Sequence, residues 1–127
     1  MTADPGVPAL GIDLIEIDRV ERALQRRPRL AARLFRPSEL RACEGRARPA
    51  RHLAARFAAK EAAIKALGGG CGPLDVEVVG DPAPQLQLHG RAAEIAADHG
   101  VRLSVSLTHS RDNAAAVVLA SPFVATA

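Results

Sequence analysis

The 127-residue chain has no tryptophan, no tyrosine and only three phenylalanines. Proteins that hold single-stranded nucleic acid stack bases on aromatic rings, so a stacking platform is excluded, although duplex backbone contact through arginine stays open. Cysteine is equally scarce. Cys43 and Cys71 fit neither a zinc-ligand pattern nor a disulfide framework and read as ordinary reduced thiols, which leaves redox chemistry without support. No apolar run approaches the ~20 residues that span a bilayer. Residues 1–9 hold an acid and two prolines where a secretory signal needs a basic region followed by an apolar one, so a cytoplasmic protein is expected.

Lysine is the last scarcity. Fifteen arginines carry nearly all the positive charge, and the two lysines, Lys60 and Lys65, share the stretch Lys60-Glu61-Ala62-Ala63-Ile64-Lys65. An ammonium is a compact charge on a flexible stem and a guanidinium a broad planar fork, so this pairing is either chance in an Arg-biased composition or a place that needs the compact charge. The remaining charge is segregated. From Arg19 to Arg56, twelve arginines stand against Glu21, Glu39 and Glu44, a local net of +9, while residues 1–18 hold four acids and no base. That middle third suits an acidic partner or a polyphosphate ligand, with part of it serving only as solvated helix surface.

Length and an apolar fraction of 48% fit one domain with a real core. The expected divisions are a leader over 1–9, a domain over 10–121 and a tail over 122–127. Residues 9–17 are a short apolar run rich in Ile and Leu and predict a buried strand; Asp18 then caps a helix over 19–27, stopped by Pro28. Short helices follow at 30–34 and from Pro37. The longest helix covers 49–67, with an apolar side of Leu53, Phe57, Ile64 and Leu67, and ends at Gly68-Gly69-Gly70. Strands at 74–79 and 85–88 flank a turn at Gly80-Asp81-Pro82, and a helix over 90–99 follows. Alternation over 101–107 and an apolar run over 114–120 predict a hairpin. The fold class is α+β: a single small domain with an antiparallel sheet packed on a long helix.

Four side chains could carry chemistry. Asp13 lies between Ile12 and Leu14 in the first apolar run; a carboxylate buried there needs a partner or a cation, and one on an exposed strand face needs neither. Glu61 borders the apolar stripe of the long helix and pairs with Lys65 at i,i+4, either as a plain surface ion pair or as part of a site. In the sharper reading Asp13 and Glu61 converge on one Mg²⁺, with water and substrate phosphates completing its octahedron and Lys65 neutralising the oxygens the metal does not reach. His109 stands where a strand enters a hairpin, a place for a structural histidine or for one projecting over a ligand. His109, Ser110 and Asp112 lack the strand-turn-helix GxSxG of a hydrolase, and the glycine triplet lacks phosphate-loop spacing.

Taken in order, the pieces are far more specific. Gly11-Ile12-Asp13-Leu14-Ile15-Glu16-Ile17-Asp18-Arg19-Val20, Leu34-Phe35-Arg36-Pro37-Ser38-Glu39-Leu40, the stretch from Ala55 to Gly68 and Val105-Ser106-Leu107-Thr108-His109-Ser110 resemble the holo-[acyl-carrier-protein] synthases. These are small stand-alone 4′-phosphopantetheinyl transferases. The resemblance runs from about Leu10 to Ala120, and Arg56-Phe57-Ala58-Ala59-Lys60-Glu61 is its most diagnostic block.

The resemblance implies Mg²⁺-dependent transfer of phosphopantetheine from coenzyme A to a serine of an apo acyl carrier protein, releasing adenosine 3′,5′-bisphosphate. It implies Asp13 and Glu61 as metal ligands and Lys65 on the pyrophosphate. Arg56 and His109 would contact coenzyme A, Lys60 would support the site or touch the nucleotide, and Arg19 would meet the acidic helix of the carrier protein. Glu61 or a metal-held water would take the serine proton. A homotrimer with sites between subunits is also implied. The alternatives are the same chemistry on a polyketide or other secondary-metabolism carrier protein and, from another class, a basic nucleic-acid-associated module, which has no use for Asp13, Glu61 and Lys65 together.

Overall fold

The computed structural model describes residues 9–80 and 83–123. Strand β1 (Ala9–Glu16) leads directly into helix α1 (Ile17–Arg26), followed by α2 (Leu30–Leu34), α3 (Pro37–Cys43) and the long α4 (Pro49–Leu67). A 3₁₀ turn (Pro73–Asp75) enters the hairpin β2 (Val76–Val79) and β3 (Gln85–Leu88); then come α5 (Gly90–His99) and the hairpin β4 (Val101–His109) and β5 (Asn113–Pro122). The main sheet has the order β1-β5-β4, antiparallel throughout, with Asp13 opposite Ala116 and Leu107 opposite Ala116 on the other side. This is the expected α+β class. Most of the leader and tail lie outside the described residues, as do Asp81 and Pro82, but Ala9 and Pro122 belong to strands.

Three local expectations differ. Helix α1 starts at Ile17 instead of after Asp18, because the Ile17 N–H is taken by the Asp112 carbonyl at 2.9 Å; Asp18 accepts instead from Arg48 Nη2 at 2.7 Å. The strand expected from Leu74 starts only at Val76, since Pro73 opens a 3₁₀ turn. Helix α4 has the expected bounds but a different buried face. Its core side is Ala54, Ala55, Ala58, Ala59, Ala62, Ala63 and Ala66, with Leu67, while Leu53, Phe57 and Ile64 are only partly covered.

Close approach explains the alanines. A Cβ placed on Gly11 would stand 1.8 Å from the Ala62 carbonyl oxygen, so β1 rests directly on the α4 backbone and no larger pair of residues fits. Small residues set this spacing, and larger side chains seal its margins. Gly68, with φ of 87°, ends α4 in the left-handed region, and the Gly69 N–H caps the Ile64 carbonyl at 2.9 Å.

Only one face of the main sheet is covered by α4. On the other face Leu10, Ile12 and Leu14 of β1 are 68%, 68% and 70% exposed and continue into Val117 and Leu119 of β5. The first apolar run is thus the reverse of a fully buried strand. Leu10, Ile12 and Leu14 face outward, while Gly11, Asp13 and Ile15 face the helix side.

Candidate active site

The helix that rests on β1 carries most of the candidate residues, and its geometry divides them. At 3.6 residues per turn, Arg56 and Glu61 point about 140° apart around α4. Two cavities result, one beside β1 and one beside β4.

The first, of about 440 Å³, is lined by Asp13, Leu14 and Ile15 of β1, Arg19 and Leu24 of α1, and Phe57 and Glu61 of α4, among others. Asp13 comes from the helix-facing side of the strand, so alternation brings it against α4 at the level of Glu61 and Lys65. Lys65 Nζ lies 3.2 Å from Asp13 Oδ1 and donates to the Ile12 carbonyl at 3.0 Å. Burial, and after it the charge of Asp13, push the Glu61 carboxyl above its ordinary value; the Lys65 ammonium pulls the other way. A carboxyl raised by burial and by a neighbouring carboxylate marks a site short of positive charge.

That imbalance fits a hard divalent cation. Among the described residues no group of three or more His, Cys, Asp or Glu side chains gathers to hold a metal. Two carboxylates with open positions left for phosphate oxygens and water match Mg²⁺, which is commonly held that way, and do not match a cage built wholly of protein. Arg19 lines the same cavity from α1.

The second cavity, of about 200 Å³, takes Arg46 from the α3–α4 connection, His52, Ala55 and Arg56 from α4, Val78 and Gly80 around β2, Pro84, and Leu107 and His109 from β4. The structure therefore brings Arg56 and His109 together as a basic pocket. His52 and His109 pack edge to face, their ring centroids 5.7 Å apart and planes at 83°. Sequence reasoning missed Arg46 and His52. His52 stands one turn before Arg56, so the i,i+4 spacing could have found it; Arg46 sits in an irregular connection with no periodic signal.

Lys60 belongs to neither cavity. Its side chain is fully buried, and its ammonium donates to Glu39 Oε1 at 2.7 Å, the Pro73 carbonyl at 2.9 Å and the Val76 carbonyl at 2.6 Å. Those three bonds use all its protons. In this arrangement its protons serve internal support, one of the two roles expected for Lys60. Burial presses the ammonium below its ordinary value, with Glu39 opposing. Glu39 is occupied on both oxygens, Oε1 also accepting from the Arg36 N–H at 2.8 Å and Oε2 from the Val78 N–H at 2.9 Å. The pair pins α3, α4 and β2 to one another.

A model of the 4′-phosphopantetheinyl transferase superfamily matches residues 9–118. The chain belongs to the holo-[acyl-carrier-protein] synthases of that superfamily. It is 50% identical over 115 residues to the holo-[acyl-carrier-protein] synthase of Moorella thermoacetica, covering 86% of this chain and 90% of the relative. With the synthase of Syntrophus aciditrophicus it shares 47% over 121 residues, 89% and 94% of the two chains. The fold is similar to a Chronobacterium ammoniagenes synthase in complex with coenzyme A, at TM-score 0.81 and 30% identity over 93% of this chain and 99% of that one. It is similar too to the Helicobacter pylori synthase in complex with coenzyme A, at TM-score 0.76 and 32% identity over 88% and 99%. This phosphopantetheinyl transferase is accordingly an enzyme, and both cavities lie within the matched region. No helix among its described residues is long and apolar enough to cross a membrane.

Proposed function

We propose that the enzyme transfers 4′-phosphopantetheine from coenzyme A to a serine hydroxyl of an apo acyl carrier protein, with Mg²⁺ held by Asp13 and Glu61. The observation that carries this reading is that Asp13 and Glu61 line one cavity while Lys65 reaches Asp13 at 3.2 Å. When bound, the ion supplies charge neutralisation for the pyrophosphate oxygens. The serine Oγ forms a bond to the β-phosphorus, the bond from that phosphorus to the bridging oxygen breaks, and adenosine 3′,5′-bisphosphate departs with the negative charge. Lys65 leaves Asp13 to meet that charge; its half-exposed ammonium, on a flexible stem, needs only a rotamer change. Glu61 takes the serine proton.

Arg56 and His109 bind phosphates of coenzyme A in the basic cavity. No described residue lines both cavities, which stand at opposite edges of the main sheet. A second copy of the chain, seated on the apolar outer face of that sheet, supplies the missing half, and a homotrimer closes such a contact on itself. Arg19, at the mouth of the acidic cavity, meets the acidic surface of the carrier protein, and both substrates place the reaction in the cytoplasm.

The test is incubation with coenzyme A, Mg²⁺ and apo carrier proteins of fatty-acid and polyketide type, followed by mass spectrometry. One added phosphopantetheine, lost with EDTA, is expected. No mass gain on any carrier protein overturns the reading.

A further inference from the structure

The basic cavity contains a residue that the proposed reaction leaves without a task. His52 lines it beside Arg46, Arg56 and His109, and its ring meets that of His109 almost at right angles. We infer that His52 is a positioning residue for His109, and that the His52 ring takes up a proton when the cavity receives a phosphate-bearing nucleotide. The inference rests on the reading that this cavity binds the nucleotide end of coenzyme A.

Geometry supplies the argument. His109 ends β4 and is exposed. His52 projects from the middle of a rigid helix, so an edge-to-face contact lets the fixed ring orient the loose one. The charged and titratable groups that face His52 are Arg51 and Arg56 on its own helix, Arg46 from the α3–α4 connection and His109 from β4. None of the described residues lining the cavity is a carboxylate. Burial first, and then Arg46, His109, Arg51 and Arg56, hold His52 below its ordinary value, so in the free protein near neutral pH its ring is uncharged. A phosphate dianion reverses the sign of the local field, and the ring accepts a proton from solvent. The proton adds positive charge for the phosphate beside that of Arg46 and Arg56, which line the same cavity.

The sign follows. Binding coupled to proton uptake tightens as pH falls, by up to about tenfold per pH unit for one linked proton. The probe is adenosine 3′,5′-bisphosphate, titrated calorimetrically into the full-length enzyme in buffers of differing ionisation enthalpy. His52→Phe keeps an aromatic ring against His109 and removes the titration. Wild type is expected to take up more protons per nucleotide than His52→Phe, with the affinity ratio of the two widening about three- to tenfold from about pH 8 to about pH 6. Equal proton uptake by the two proteins overturns the inference and leaves the pocket assignment standing. Failure of the wild type to bind the nucleotide overturns both. Histidine resonances of the unmutated protein give an independent reading if His52→Phe folds poorly: His52 must titrate at higher pH with nucleotide than without it, and an unmoved titration refutes the coupling.

Discussion

Replacing Gly11 by alanine tests whether backbone contact between β1 and α4 sets the spacing of Asp13 and Glu61, the proposed metal ligands. The added methyl would stand 1.8 Å from the Ala62 carbonyl oxygen, 2.8 Å from its carbon and 2.9 Å from the Ala66 nitrogen, so no side-chain rotation relieves it. Real Cβ contacts stay beyond 3.0 Å, so β1 must lift from α4 by more than 1 Å at that point. Overpacking of this kind costs about 1–3 kcal/mol. For a domain of this size that is a fall in Tm of roughly 4 °C per kcal/mol, or about 4–12 °C. The second consequence is catalytic. Asp13 lies two residues further along the same strand, and a displacement near 1 Å between reacting or ligating groups costs on the order of 10²-fold. Thermal unfolding followed by circular dichroism and phosphopantetheine transfer followed by mass spectrometry read the two effects separately. A Gly11→Ala enzyme with Tm within about 1 °C of wild type and unchanged kcat/KM would refute the backbone-contact argument.

Three further outcomes are expected. Lys60→Met leaves the Glu39 charge buried without its partner and destabilises the protein by about 3–5 kcal/mol in denaturant titration, while adding Glu39→Gln recovers part of the loss because a neutral amide oxygen still accepts from Val78. Burial and Asp13 raise the Glu61 carboxyl above 4.5, so the metal-free folded state binds a proton more tightly than the unfolded chain, and this group's contribution is lost as pH rises through the raised value. Glu61→Gln therefore raises the Tm of the metal-free enzyme at neutral pH and abolishes the Tm increase given by Mg²⁺; a variant that Mg²⁺ still stabilises rules Glu61 out as a ligand. If a second copy seats on the apolar outer sheet face as proposed, wild type sediments as an oligomer and Ile12→Glu as a monomer without transfer activity, whereas a variant that still assembles assigns the interface elsewhere.

The elements were largely legible because their signals are local: Pro49 and the glycine triplet bracket α4, and alternation marks β4. Depth was harder to read. Leu53, Phe57 and Ile64 form the hydrophobic stripe by period, yet the buried face is alanine, because how closely a sheet approaches a helix is a tertiary quantity that period does not encode. The same blindness turned β1 inside out, with Ile12 and Leu14 outward and Asp13 inward. At the site, Asp13, Glu61 and Lys65 could be paired by spacing and family pattern. Lys60 could not be placed, since its partners Glu39, Pro73 and Val76 lie 21, 13 and 16 residues away and only folding brings them to it.

The two faces of α4 have a genetic consequence. If each reaction centre takes its carboxylates from one copy and its basic pocket from a neighbour, Glu61→Gln and His109→Asn damage opposite halves. Refolded together, two individually dead proteins form mixed rings in which some junctions join an intact half to an intact half. Activity returns on mixing, and a cell carrying both alleles outgrows a cell carrying either. A monomeric or strictly self-contained site has no such rescue, so complementation between alleles reads the architecture without a crystal.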